Sequence, residues 1–217
     1  VRDGPRAPSR GGLIRPYRRT DRAAVYDVCV RTADAGGDAR GRWSTDDLMP
    51  DLFAGPYVDL EPDRAFVLDD GERVVGYVLG TADTAGFVPA WRSRWLPRLA
   101  DRYPAPTGPP QTPEERMVSM LHRPERMLVP ELAAYPAHLH IDLLPEVQGA
   151  GWGRALIEVF CAAVAGAGAA GVHLGVDPAN TRALGFYARL GFTPVAVPAL
   201  PGAVFLARPT GAPAAAD

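Results

Sequence analysis

His138–Phe192 reads HLHIDLLPEVQGAGWGRALIEVFCAAVAGAGAAGVHLGVDPANTRALGFYARLGF, and the reading of this stretch decides the fold. HLHIDLL is a short apolar strand that runs through Pro145 into a glycine-rich turn, QGAGWG, which opens directly into a helix. VHLGV is a second strand, after which Asn180 starts a helix carrying Phe186 and Tyr187. Glycines at a helix start leave backbone N–H groups free to approach a phosphate, and the helix dipole favours the negative charge. The stretch reads as a pyrophosphate clamp with a tyrosine close by.

The composition agrees with a globular domain built around this unit. With 217 residues, 47% of them hydrophobic, one domain with a real core is expected rather than a disordered chain. A net charge of −2 supplies no basic field for nucleic acid. The sequence has no run of 18 apolar residues and no apolar segment resembling a signal peptide at its start, which points to a cytoplasmic location and away from a membrane. Cys29 and Cys161 sit in apolar helical patterns and read as buried free thiols, not as a disulfide or as acyl carriers. All 23 basic Lys+Arg residues are Arg, so an arginine carries little information here. The lone Asn180 and one of the two glutamines, Gln148, fall inside the decisive stretch, and their placement is suggestive.

Outward from it, residues 1–12 lack periodicity and 209–217 read as a flexible tail, leaving 13–208 as the domain. Leu13–Tyr17 is a first strand, and Thr20-Asp21 offers an N-cap to a helix whose apolar face holds Ala24, Val25, Val28 and Cys29. Ser44 or Thr45 caps a second helical piece with Leu48, Leu52 and Phe53, interrupted at Gly55-Pro56. Ala65–Leu68 and Val74–Leu79 flank Asp69-Asp70-Gly71-Glu72, a hairpin signal, with Gly76 and Gly80 suggesting a bulge or close approach. Residues 84–136 form a helix-containing excursion between two strands, with a strong helix start at Thr112-Pro113-Glu114-Glu115. It is either an aromatic-stapled surface insertion or a wall over a substrate. Strands at Phe192–Val197 and Ala203–Ala207 close the chain.

Gly149, Gly151 and Gly153 are spaced G-x-G-x-G, not the dinucleotide G-x-G-x-x-G, and Pro145-Glu146-Val147-Gln148 intervenes between strand and glycines. Asp177, about 24 residues on, is near where a ribose-binding acid would stand, but it opens a loop. The run Gln148-x-x-Gly151-x-Gly153, followed by Asn180, Ala183, Phe186-Tyr187, Leu190 and Gly191-Phe192, resembles the GCN5-related N-acetyltransferase superfamily. The wording YPAHLHIDLLPEVQGAGWGR is also similar to bacterial acetyltransferases related to the C-terminal domain of O-GlcNAcase.

That resemblance implies an α/β (α+β) fold: a mixed, mostly antiparallel twisted sheet of about six or seven strands flanked by helices, with a helical insertion between the third and fourth strands. It implies acetyl-CoA as co-substrate and no metal. The clamp would comprise Gln148, Gly149, Ala150, Gly151, Trp152, Gly153 and the following Arg154. Ile141, Asp142 and Leu143 would be the strand edge that pairs with the pantetheine arm, Asn180 a cofactor contact, and Tyr187 both a cofactor contact and the candidate general acid.

For a base, His138, His140 and Asp142 recur at period two and share one face of an unbroken strand, opposite Leu139, Ile141 and Leu143. Three polar side chains on one face are expected to line a wet cleft or to form a hydrogen-bonded cluster. His140 and Asp142 are the candidate catalytic pair; His122 reads as a surface residue and His173 as a strand residue. The leading expectation is transfer of an acetyl group to a small-molecule or peptide amine by direct attack, by a monomer or homodimer. The alternatives are a non-catalytic acyl-CoA-binding module, since no glutamate stands on this strand, and, last, a nucleotide-dependent oxidoreductase.

Overall fold

A computed structural model describes residues 11–200 and 202–211; the expectations for 1–10 and 212–217 fall outside them. The strands are β1 (Leu13–Pro16), β2 (Phe66–Asp69), β3 (Val74–Thr81), β4 (Ala137–Leu143), β5 (Gly171–Val176), β6 (Thr193–Val195) and β7 (Val204–Pro209). They form one seven-stranded sheet in the order β1-β2-β3-β4-β5-β7-β6. Only β4 and β5 run parallel; every other neighbouring pair is antiparallel. The helices are α1 (Arg22–Val30), α2 (Leu48–Phe53), α3 (Gly55–Leu60), α4 (Thr84–Ala90), α5 (Pro113–His122), α6 (Trp152–Gly166) and α7 (Thr181–Ala188). The mixed, mostly antiparallel sheet with flanking helices is the architecture the sequence implied.

β3 is buried along its whole length because both of its faces are covered, with α1 and α6 packed on it. Gly80 is there for approach: a Cβ at that position would lie 2.5 Å from Phe160 of α6 and 2.1 Å from the His138 carbonyl oxygen. The register slips between Leu68 and Asp69, so the expected irregularity near Gly76 is a bulge in the β2–β3 hairpin.

Two capping expectations require correction. Asp21 precedes α1 without capping it; its carboxylate is taken by Arg15 at 2.7 and 2.9 Å and by the Arg18 N–H at 2.7 Å. Ser44 bonds Glu114 across the molecule, and Thr45 accepts from the Asp47 N–H at 3.2 Å, so neither caps α2. Thr112 does cap α5, in a reciprocal box with Glu115.

The 84–136 segment is not a surface appendage. Phe87, Trp91 and Trp95 are all at most 2% exposed and belong to the core. The indole N–H of Trp91 donates to the Leu121 carbonyl (3.1 Å) and that of Trp95 to the Asp51 carbonyl (3.0 Å). Asp51 is itself buried, receiving the hydroxyls of Tyr26 (2.7 Å) and Tyr103 (3.0 Å), which ties α1 and the insertion to α2. His122 is half-buried against the Tyr103 carbonyl, not a free surface residue.

Candidate functional site

The parallel neighbours β4 and β5 pair at only two positions, Ala137↔Val172 and His138↔His173. From Leu139 to Leu143 the β5-facing edge of β4 has no strand partner, while its other edge stays laddered to β3 as far as Gly76↔Leu143. The strands therefore splay, and a groove of about 500 Å³ opens at the parting. Ile141, Asp142 and Leu143 line one wall, the glycine turn a second and α7 a third.

The turn presents its backbone. Among the described residues, the N–H groups of Gly149 through Arg154 have no protein acceptor, and the first turn of α6 carries no side-chain cap. α5 and α7 are capped by side chains, whereas the start of α6 leaves its amides available, as a helix start that accepts an anion requires. Gly149 (φ 78°) and Gly151 (φ 91°) hold the left-handed conformation that turns these amides toward the groove. Gly153 serves a different end: a Cβ there would sit 3.0 Å from the Phe186 ring, so it permits α6 and α7 to close on each other.

The other clamp residues divide. Gln148 lines the groove, but its amide donates to the Leu143 carbonyl at 2.8 Å and fastens the turn to the strand end. Arg154 lines it too, 3.7 Å from Glu158. Ala150 and Trp152 do not have side chains in the groove. The Trp152 indole is buried beneath the turn, against Gly12 and the core, so only its amide faces the site. Asn180 lines the groove, but its side-chain Oδ1 caps α7, accepting from the Ala183 N–H at 3.0 Å.

Tyr187 lies against Phe186 and Phe192, with ring centroids 5.1 and 5.5 Å apart. Its hydroxyl has no protein partner among the described residues, and the residue lines the groove. Burial, with the Asp142 charge nearby, pushes its hydroxyl further above the usual tyrosine range, so it keeps its proton at neutral pH. Asp142 faces the same groove and accepts a 2.5 Å bond from Tyr77. Burial raises the Asp142 carboxyl above its ordinary value, and the bond from Tyr77 holds that rise back.

His138, His140 and Asp142 do share a face, opposite Thr81, Leu79 and Tyr77 in the ladder. At the two histidines this is a hydrogen-bonded cluster and not a wet cleft, and the protons in it can be placed. The Thr84 hydroxyl donates to the Pro136 carbonyl (2.7 Å), so it accepts from His138 Nδ1 (2.7 Å). His138 Nε2 then accepts a hydrogen bond from the Tyr57 hydroxyl (2.9 Å), and the Tyr57 oxygen accepts from His140 Nε2–H (3.1 Å). His140 is left with its Nδ1 lone pair and no bond to it among the described residues. Burial, reinforced by Arg126, lowers the His140 pKa to about 4, so the ring is neutral. His140 does not line the groove, and so of the candidate catalytic pair only Asp142 does. His173 is a buried strand residue bonded to the Tyr135 carbonyl at 2.7 Å.

Sequence reasoning missed Thr32, Ala35 and Gly36, which close the groove from the loop after α1, and Arg182 and Arg189, which line it from α7. The spacing of Arg182, Phe186 and Arg189 is that of one helical face, a signal hidden by the abundance of arginine. Tyr57 and Thr84 were not legible as partners of His138 because they stand 81 and 54 residues away.

The chain is similar to known proteins in sequence and in fold. The acetyltransferase (GNAT) family model matches residues 117–192, which span β4, the turn and α7. Protein O-GlcNAcase of Rattus norvegicus is 29% identical over 180 residues, covering 82% of this chain and 20% of the relative. The chain thus spans about a fifth of the length of the curated relatives it matches. The crystal structure of SsHAT superposes with a TM-score of 0.89 at 57% identity, covering 93% of this chain and 99% of that one. The putative acetyltransferase yncA from Salmonella typhimurium, solved with its cofactor acetyl-CoA, shares the fold at 18% identity (TM-score 0.54, 95% and 98% covered). Motif, fold and likeness agree, and the chain belongs to the acetyltransferase (GNAT) family.

Proposed function

We propose that the chain is an acetyl-CoA-dependent N-acetyltransferase that passes the acetyl group directly to an amine in a ternary complex. The observation that carries the reading is the unbroken run of unpartnered amides from Gly149 to Arg154 at the end of the unpaired β4 edge. The fit to the co-substrate is good on two counts. The open space beside Gly149 and Gly151 admits a pyrophosphate against the backbone, and Arg154, Arg182 and Arg189 add positive charge along the groove. The β4 edge at Ile141–Leu143 offers main-chain groups to the amides of the pantetheine arm.

Acetyl-CoA, when bound, supplies an acyl group already activated as a thioester. Asp142, in its carboxylate form, takes the proton from the attacking amine. Tyr187, held protonated, donates to the sulfur position of the donor, and the free amides of the β4 edge steady the carbonyl oxygen. Neither cysteine enters: Cys29 is buried and its thiol pushed up, and Cys161 accepts a bond from Arg208 at 3.1 Å.

The test is titration calorimetry with acetyl-CoA on the wild type and on Gly151→Asp, with the fold monitored by circular dichroism. A carboxylate at the centre of the clamp is expected to remove binding, and undiminished affinity would overturn the clamp. A thioester-cleavage assay over an amine panel then separates the enzyme from an acyl-CoA-binding module, which would bind without turnover.

A further inference from the structure

The polar face of β4 is served by two tyrosines with opposite effects. Tyr57 of α3 bonds both His138 and His140, neither of which lines the groove. Tyr77 of β3 stands directly across the ladder from Asp142, which does line it, and donates to Asp142 Oδ2 at 2.5 Å. That is the length of an O–H···O bond to a charged acceptor, one of the stronger kinds. The Tyr77 ring is wholly buried on a strand covered on both faces, so packing fixes where its hydroxyl points. Burial also holds the Tyr77 hydroxyl well above the ordinary tyrosine range, and its proton stays on the phenol.

The two carboxylate oxygens of Asp142 are thereby made different. Oδ2 is spent on Tyr77, whereas Oδ1 has no hydrogen bond of its own among the described residues. Thr32, which shares the groove, spends its hydroxyl proton on the Val28 carbonyl at 2.8 Å. The other titratable groups around the carboxyl are Cys29 of α1, Tyr187 of α7 and, two residues back along β4, His140; all three are uncharged at neutral pH. The charged side chains that share the groove are Arg154, Arg182 and Arg189. Without the phenol donor, burial would favour the protonated acid, which cannot take a proton from an amine.

We propose that Tyr77 is a positioning residue for the acetyl transfer: by holding Oδ2 it fixes the Asp142 carboxylate so that Oδ1 faces the amine in the groove. The inference rests on the reading of Asp142 as the base, but the hold of Tyr77 on the carboxylate can be measured without turnover. The amine N–H bond breaks as the O–H bond at Oδ1 forms, its electron pair stays on nitrogen to attack the thioester, and the Tyr77 proton remains on the phenol throughout. The same bond favours the charged form of Asp142 over the neutral one.

The proteins compared are the wild type, Tyr77→Phe, Asp142→Asn and the double variant, each checked for its unfolding midpoint and for acetyl-CoA affinity. The Asp142 carboxyl is titrated by NMR on carbon-13-labelled aspartate and assigned by its loss in Asp142→Asn. In Tyr77→Phe it is expected to titrate at higher pH than in the wild type, because a donor to the charged form has gone. Turnover with the best amine of the panel should fall roughly 10- to 100-fold at neutral pH, its acid limb moving up with the carboxyl, while acetyl-CoA affinity is unchanged. In the Asp142→Asn background Tyr77→Phe should cost no further turnover. A carboxyl titration unmoved by Tyr77→Phe, or a turnover loss equal at every pH and repeated in the Asn background, overturns the proposal and leaves Tyr77 as a packing residue. Undiminished turnover in Asp142→Asn, or none with any amine in the wild type, overturns instead the reading on which the proposal rests, while the titration still tells whether Tyr77 holds the carboxylate. If Tyr77→Phe does not fold, the wild type decides: the Tyr77 ring carbon that bears the hydroxyl should follow the Asp142 titration with the same midpoint, and a carbon indifferent to it overturns the proposal.

Discussion

Replacing Asn180 separates two roles that its position superimposes, capping of α7 and contact with a ligand in the groove. Its side-chain oxygen accepts from the Ala183 N–H at 3.0 Å, one of the four N–H groups that a helix start leaves without a partner. Loss of such a cap typically costs about 1 kcal/mol, which in a chain of this size lowers the unfolding midpoint by roughly 2–4 °C. Asn180→Ala is therefore expected to show that shift, while Asn180→Ser and Asn180→Asp, which keep an acceptor, stay close to wild type. Acetyl-CoA affinity should rank differently. Asn180→Asp sets a carboxylate in a groove already holding Asp142 and is expected to weaken binding of an anionic ligand, an effect that fades as salt rises. Asn180→Ser should bind nearly as the wild type does. The assays are thermal unfolding and calorimetry at low and high ionic strength. If Asn180→Asp is as unstable as Asn180→Ala, the capping argument fails. If its acetyl-CoA affinity is unaltered at low salt, the ligand's phosphates do not lie near α7.

Tyr187→Phe should keep acetyl-CoA affinity while turnover falls about 100-fold or more, and an unchanged turnover number would remove the hydroxyl from the proton path. Gly153→Ala should destabilise by about 1 kcal/mol through the 3.0 Å approach of its Cβ to the Phe186 ring, and adding Phe186→Leu should recover much of that loss; additive losses in the double variant would contradict the contact. His140 has a folded pKa near 4 against an ordinary 6.5, so on acidification the unfolded chain takes the proton first. Its stabilising contribution is complete above about 6.5 and is lost as the pH falls toward about 4, so the stability difference between wild type and His140→Gln should narrow over that interval; a constant difference would show the ring to be unshifted.

Much of the frame was legible because it is local. The Asn180 helix start, the Thr112 capping box and the Asp69–Glu72 hairpin turn each announce themselves within a few residues. The glycine turn was equally plain, although the three glycines proved to have two different duties: Gly149 and Gly151 shape the backbone, while Gly153 makes room for Phe186. What escaped is non-local. The period of two put His138 and His140 on one face correctly, but whether that face meets water depends on Tyr57 and Thr84, which come from α3 and α4. The same holds for Ser44, a plausible cap by local rules that Glu114 draws away. Arg182 and Arg189 were hidden by composition, since a chain whose every Lys or Arg position is arginine gives no contrast.

The insertion between β3 and β4 also bears on how the molecule assembles. β2 and β3 are joined by a short turn, whereas β3 and β4 are neighbours in the sheet separated by residues 82–136. Closing a loop of roughly 55 residues costs about 2.3 kcal/mol more chain entropy than closing one of about 4 residues. The β2–β3 hairpin is thus the natural early nucleus, and β4 joins it only once the aromatic segment around Trp91 and Trp95 has condensed on α2 and α3 and brought the strand back. The strand that carries His140 and Asp142 thus closes a far longer loop than the hairpin it joins, so the site depends on a contact that forms after that hairpin.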